Sequence, residues 1–150
     1  MAVNIKAYQS IQQELDTKKV TLVAVSKTKP INDILALYDL GQRDFGENYV
    51  QELVEKQKQL PADIRWHFIG HLQRNKVKEI AAFVHLIHGV DSRRLLAEIN
   101  KQAIRCNRII PVLLQVHIAR EETKFGLDEA ELREIINNLS GLNNVAVKGL

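Results

Sequence analysis

The chain has 150 residues, 45% of them hydrophobic and 26% charged, the balance of an ordinary globular domain with room for a sizeable core. A formal net charge of +3 with only 5% aromatics argues against a nucleic-acid surface, which needs a basic stripe and stacking platforms. No apolar run approaches the ~20 residues of a membrane span, no signal-peptide core opens the chain, and the lone Cys106 suits a reducing, cytoplasmic setting.

Residues 4–17 read as a first helix. In TLVAVSKTKP the apolar run predicts a strand over 21–26. PINDILALYDLG then carries Ile31, Ile34, Leu35 and Leu37 or Tyr38 at helical spacing, opened by Pro30 and closed by Gly41. DFGEN predicts a second strand, and YVQELVEKQKQL a helix that stops before Pro61. RWHFIG is the third strand and NKVKEIAAF the helix after it. VHLIHGV is the fourth strand, followed by RRLLAEINKQAIR with Asp91 or Ser92 as its cap. IIPVLLQVHI is the fifth strand. LDEAELREIINNL follows as a helix with a buried stripe of Leu127, Ala130, Leu132, Ile135 and Ile136, and VAVKGL begins a sixth strand. Cations such as Lys56, Lys58, Lys76 and Lys78 are interleaved with acids and read as a solvated outer helical face.

Alternating strands and helices predict an α/β protein with a parallel sheet. On pattern alone two architectures fit. One is a doubly wound sheet, complete near this length. The other is a (β/α)8 TIM barrel, which needs ~250 residues, so that the chain is its N-terminal portion as a single domain over 1–150. The chain ends on a strand signal, and no glycine-rich phosphate loop follows the first strand; both points favour the barrel.

Alternation along the first strand puts Val23, Val25 and Lys27 on one face. If that face is interior, Lys27 stands at the carboxyl end of its strand, where α/β folds place their sites. Desolvation there favours the neutral amine that attacks a carbonyl. A solvated loop lysine is the competing reading. Gly46 and Asn48 share a face of the second strand, an arrangement open to a flat ring passing close to the backbone. The competing reading is a bulge glycine and a capping asparagine. Glu47 is either an acid–base group or a surface charge. His67 and His71 straddle a strand end, His85 and His88 point to opposite sides, and no carboxylate or cysteine completes a ligand set, so metal binding is set aside. His117 is either a pocket residue or a core histidine. Lys124 is a pocket lysine if its loop folds over the strand ends and an ordinary loop charge otherwise.

Taken in order, VAVSKTKP, DFGENYVQE, WHFIGHLQRNK, HGVDS and LLQVHIAREETKFGL resemble the YggS/PROSC family of pyridoxal phosphate homeostasis proteins over essentially the whole chain. The resemblance implies a TIM barrel like the N-terminal domain of alanine racemase, present here as an incomplete barrel of about six parallel strands with covering helices. It implies that Lys27 holds pyridoxal 5'-phosphate as a reversible Schiff base, that Asn48 neighbours the cofactor ring, that Lys124 lies near the same mouth and that His67 belongs to the pocket wall. The function implied is cofactor homeostasis without catalysis, with pyridoxal-phosphate-dependent apoenzymes as recipients. The alternatives are a racemase-like enzyme, or a fragment that no longer binds the cofactor and associates through exposed barrel edges. Two departures stand out. The phosphate-cupping SMGMS and Ser/Thr-Arg-Gly segments of the family are absent, and His117 and Ala119 replace the usual polar pair of the strand-five motif.

Overall fold

The computed structural model describes residues 3–118 and 125–150. Its strands are β1 (Ala24–Val25), β2 (Asp44–Glu47), β3 (Arg65–Phe68), β4 (Leu86–Val90), β5 (Ile110–Leu114) and β6 (Val145–Gly149). All neighbouring pairs are parallel, and their order in the sheet is simply β1-β2-β3-β4-β5-β6. That order decides between the two architectures. A doubly wound sheet reverses direction at a switch point, whereas a barrel adds each strand to the same side of the last. This sheet has no reversal, so it is the barrel arrangement, left open with β1 and β6 as its edges.

The helices are α1 (Ile5–Lys18), α2 (Ile31–Asp39), α3 (Val50–Gln59), α4 (Val77–Ile80), α5 (Arg93–Arg105) and α6 (Glu129–Asn137). Local chemistry explains their ends. Asn4 caps α1 by accepting from the Ala7 N–H, and Ser92 caps α5 by accepting from the Leu95 N–H. Asp128 and Glu131 form a reciprocal capping box on α6. Pro30 precedes α2 in an extended conformation and Gly41 follows at φ +99°, the asymmetry read from sequence.

One apolar layer lies between the helices and the outer face of the sheet. Phe45, Trp66, Phe68, Ile87, Val112 and Leu114 point into it from successive strands and meet Ile34, Leu53, Ile80, Leu96 and Ile99 from the helices. The Phe45 and Trp66 rings lie 6.1 Å apart and tilted, a favourable aromatic contact. The opposite, concave face carries Asp44, His67 and His88.

Some local expectations change. The strand over 21–26 shrinks to Ala24–Val25, because the Gln42 side-chain amide donates to the Leu22 carbonyl at 2.8 Å in place of a ladder partner. Ala130 and Ile136 are exposed, so the buried stripe near α6 is Leu127, Leu132 and Ile135. α1 forms as expected but buries no side chain.

Leu96 is fully buried at the centre of the helix–sheet layer, whereas Ile104, on the same helix, is 57% exposed. Leu96→Ala should cost about 2–5 kcal/mol and Ile104→Ala less than about 0.5 kcal/mol. Urea unfolding followed by Trp66 fluorescence checks both, and equal midpoints would contradict this packing.

Candidate functional site

Lys27 lies in a four-residue turn just past the carboxyl end of β1. The turn is closed by the Lys29 N–H donating to the Ser26 carbonyl at 3.0 Å. Val25 and Lys27 are exposed while Ser26 is buried, so the alternation read from sequence holds to the end of the strand. Thr28, the turn's third residue, has φ +60°, a conformation that costs a β-branched residue energy. Among the described residues the Lys27 amine makes no hydrogen bond or ion pair.

Asn48 follows β2 one strand over, half-buried. It borders a cleft of about 350 Å³ with Tyr49, Gln51, His71, Gln73 and Lys76. α3 begins immediately beyond, with Tyr49 as its N-cap and no side-chain cap bond, so Asn48 is not the capping residue. The close approach read into Gly46 is occupied by protein. A Cβ there would stand 3.0 Å from Ile69 and 3.2 Å from Val23, side chains that fill the space above it. The glycine that shapes the mouth is Gly70, which the sequence reading passed over. A Cβ at Gly70 would fall 2.3 Å from the Asn48 carbonyl oxygen, so only glycine lets the end of β3 lie against the end of β2.

His67 faces the same concavity from β3, in register with Gly46. That places it one side-chain layer below the level of Asn48. It is buried and fully engaged: its Nε2 lies 2.9 Å from Asp44 Oδ1 and its Nδ1 lies 2.9 Å from His88 Nε2. A carboxylate only accepts, so Nε2 carries the His67 proton and His88 donates to Nδ1. Arg65 closes the far end of the chain with two hydrogen bonds to Asp44. His85 and His88 do not diverge as the alternation predicts. His85 precedes β4, off its pleat, and both imidazoles come within 5.2 Å of the His67 ring, centroid to centroid. The carboxylate missing from the sequence pattern is Asp44. Ligand atoms of Asp44, His67 and His85 lie within 4.8 Å of one another, but both Asp44 oxygens are held by Arg65, whose charge opposes a cation.

Glu47 and Lys56 overturn their surface readings. Glu47 is 0% exposed and Lys56 only 6%, on the helix side of β2, with Lys56 Nζ 2.7 Å from Glu47 Oε1. Burial pushes the Glu47 carboxyl above its usual value, an effect reduced by hydrogen bonds from Lys56 and Ser26. At the mouth, His71 pairs with Asp91 at 3.1 Å and stacks on Phe125 at 4.1 Å. The His117 N–H donates to the Leu127 carbonyl beyond the end of β5, so the residue sits past the strand, half-buried. Lys124 and Ala119 lie outside the described residues.

Residues 4–150 match the alanine racemase N-terminal domain family. The pyridoxal phosphate homeostasis protein of Pasteurella multocida is 38% identical over 95% of this chain, which covers 64% of that protein. The protein of the same name from Escherichia coli K12 is 39% identical over 89% of this chain and 58% of its own length. The chain thus spans about three fifths of the length of these curated relatives. Among solved structures, PipY of Synechococcus elongatus with PLP bound is 37% identical, with a TM-score of 0.87 over 97% of this chain and 68% of that one. Its form without PLP superposes at 0.90. Alanine racemase of Bartonella henselae, 18% identical with a TM-score of 0.73 over 94% of this chain and 39% of its own, shares the fold. No helix of the described residues is long and apolar enough to cross a membrane.

The polar layer beneath the mouth predicts a pH dependence. Burial, and then the neighbouring His67, hold His85 and His88 below the usual histidine value. The unfolded chain therefore takes up protons before the folded one, and stability falls as pH drops through the ordinary histidine range. Asp44 follows at lower pH. Burial raises its carboxyl, but hydrogen bonds from Arg65 and His67 more than reverse that, so its contribution disappears as pH falls below the ordinary carboxylate range. Glu47, pushed the other way, partly offsets this loss. Melting temperature should fall between about pH 7.5 and about pH 5.5, and less steeply in His88→Gln. A flat profile in the unsubstituted chain would contradict the arrangement.

Proposed function

The chain belongs to the alanine racemase N-terminal domain family, and from that premise we propose that it binds pyridoxal 5'-phosphate through Lys27 and serves cytoplasmic homeostasis of that cofactor. The observation that carries the reading is the placement of Lys27. Its amine stands exposed and unengaged among the described residues, on a turn at the carboxyl end of β1, one strand over from Asn48 at the end of β2. Barrel folds build their sites at this end. The 37% identity to a protein whose structure holds PLP adds the ligand class.

An aldehyde-bearing cofactor fits these residues. Lys27 would hold it through its amine, and the cofactor would supply the aldehyde carbon that a neutral amine adds to. Such a linkage would be reversible by water or by another amine, which is what a carrier that passes the cofactor to apoenzymes requires. Asn48 offers a donor and an acceptor to the ring, and Lys124 would bring a second cation near the mouth. His67 supports the wall from below through its bonds to Asp44 and His88. Bound, the group supplies only its aldehyde and its anionic phosphate.

Holding and releasing the cofactor requires one amine. Racemisation requires a second acid–base group on the opposite face of a substrate, so the reading is a carrier without catalysis.

Adding pyridoxal phosphate should produce an absorbance band at the violet edge of the visible, and borohydride reduction should fix the label on the peptide containing Lys27. Lys27→Ala should lose both. An identical spectrum and an identical labelled peptide pattern in the two proteins would overturn Lys27 as the attachment point.

A further inference from the structure

We propose that Glu52 and Lys56, one turn apart on α3, are positioning residues that clamp the peptide groups on both sides of Lys27. The inference deepens the reading above and rests on Lys27 as the attachment point. Lys56 was legible in the sequence only as a charge on a solvated helix. In the fold its ammonium is buried and spends its three N–H groups on three acceptors at 2.7 Å: the Ser26 carbonyl, Glu47 Oε1 and Glu52 Oε1. The first of these is the peptide oxygen immediately before Lys27. The peptide N–H immediately after it, that of Thr28, donates to the same Glu52 oxygen at 2.6 Å. The Ser26 hydroxyl completes the set by donating to Glu47 Oε1 at 2.6 Å.

The arrangement ties the turn after β1 to α3. Thr28 sits at φ +60°, and a strained residue persists only where its surroundings over-determine it. A buried ion pair is a poor source of stability, since apolar residues of similar volume often do as well. Apolar residues, however, place no charge-assisted hydrogen bonds on chosen peptide groups. Here those bonds fall on the two peptide groups that set the direction of the Lys27 side chain. α3 also begins two residues after Asn48 and lines the cleft there with Val50 and Gln51, so the same helix holds the turn and borders that cleft.

Glu52 provides the discriminating variants, because its side chain is partly exposed and its removal leaves the Glu47–Lys56 pair in place. Glu52→Ala removes the acceptor from the Thr28 N–H. Glu52→Gln keeps an amide oxygen there and serves as the conservative rescue. Thr28 amide exchange should rise about tenfold or more in Glu52→Ala and stay near the unsubstituted rate in Glu52→Gln. Pyridoxal phosphate attachment at Lys27, read by spectroscopic titration and borohydride trapping, should weaken about tenfold in Glu52→Ala with a displaced pH profile. Glu52→Gln should recover most of both. Trace acetylation of Lys27 relative to Lys29, over a range of pH, reports the same change without the cofactor. Lys56→Met should act in the same direction as Glu52→Ala; if it does not fold, the Glu52 pair decides.

A folded Glu52→Ala with unchanged attachment, pH profile and Lys27 acetylation overturns the clamp. If the unsubstituted chain attaches no cofactor at Lys27, the cofactor reading fails. Thr28 exchange and Lys27 acetylation then decide the clamp by themselves.

Discussion

Every strand of this sheet runs parallel to the one before it, and parallel strands cannot be joined by a hairpin. Each connection must climb back along the sheet, and here it does so through a helix on the same side. From that constraint comes the division of the molecule into an apolar outer layer, where Phe45, Trp66 and Ile87 meet the helices, and a polar concave face. It also brings all the carboxyl ends of the strands to one rim. Lys27, Asn48 and His71, far apart in sequence, end on that rim because each follows a strand of the same direction.

Polarity is layered on the concave face. At the rim stand side chains able to meet a ligand. One layer below, Arg65, Asp44, His67 and His88 bind one another in sequence, with every ring nitrogen of His67 engaged. A polar group removed from water must find such partners or lose free energy. The chain of bonds gives the floor of the site a fixed geometry, and the arginine compensates the carboxylate that would otherwise attract a cation.

The helix side of the sheet holds a second polar set inside an apolar layer. Lys56, Glu47 and Ser26 are buried together, and their bonds converge on the turn after β1. The turn that carries Lys27 is thus held from the helix side of the sheet.

Much of the fold was legible in the chain's own pattern. Helical spacing and terminators locate α5 to the residue, the parallel-sheet class follows from the repeated units, and the position of Lys27 at a strand end is visible in TLVAVSKTKP. Those features depend on neighbours a few residues away, and local sequence records them. What the tertiary structure decided depends on residues from different strands. The sheet order removed the doubly wound alternative. The loop before β4 swung His85 toward His67, against the alternation. Gly70, not Gly46, proved to be the close-approach glycine. Lys56, which its neighbours on the helix mark as a surface charge, is buried because Glu47 lies nine residues away in sequence and 2.7 Å away in space. A side chain's charge is written in the sequence, but its partner is set by the packing of a helix on a sheet.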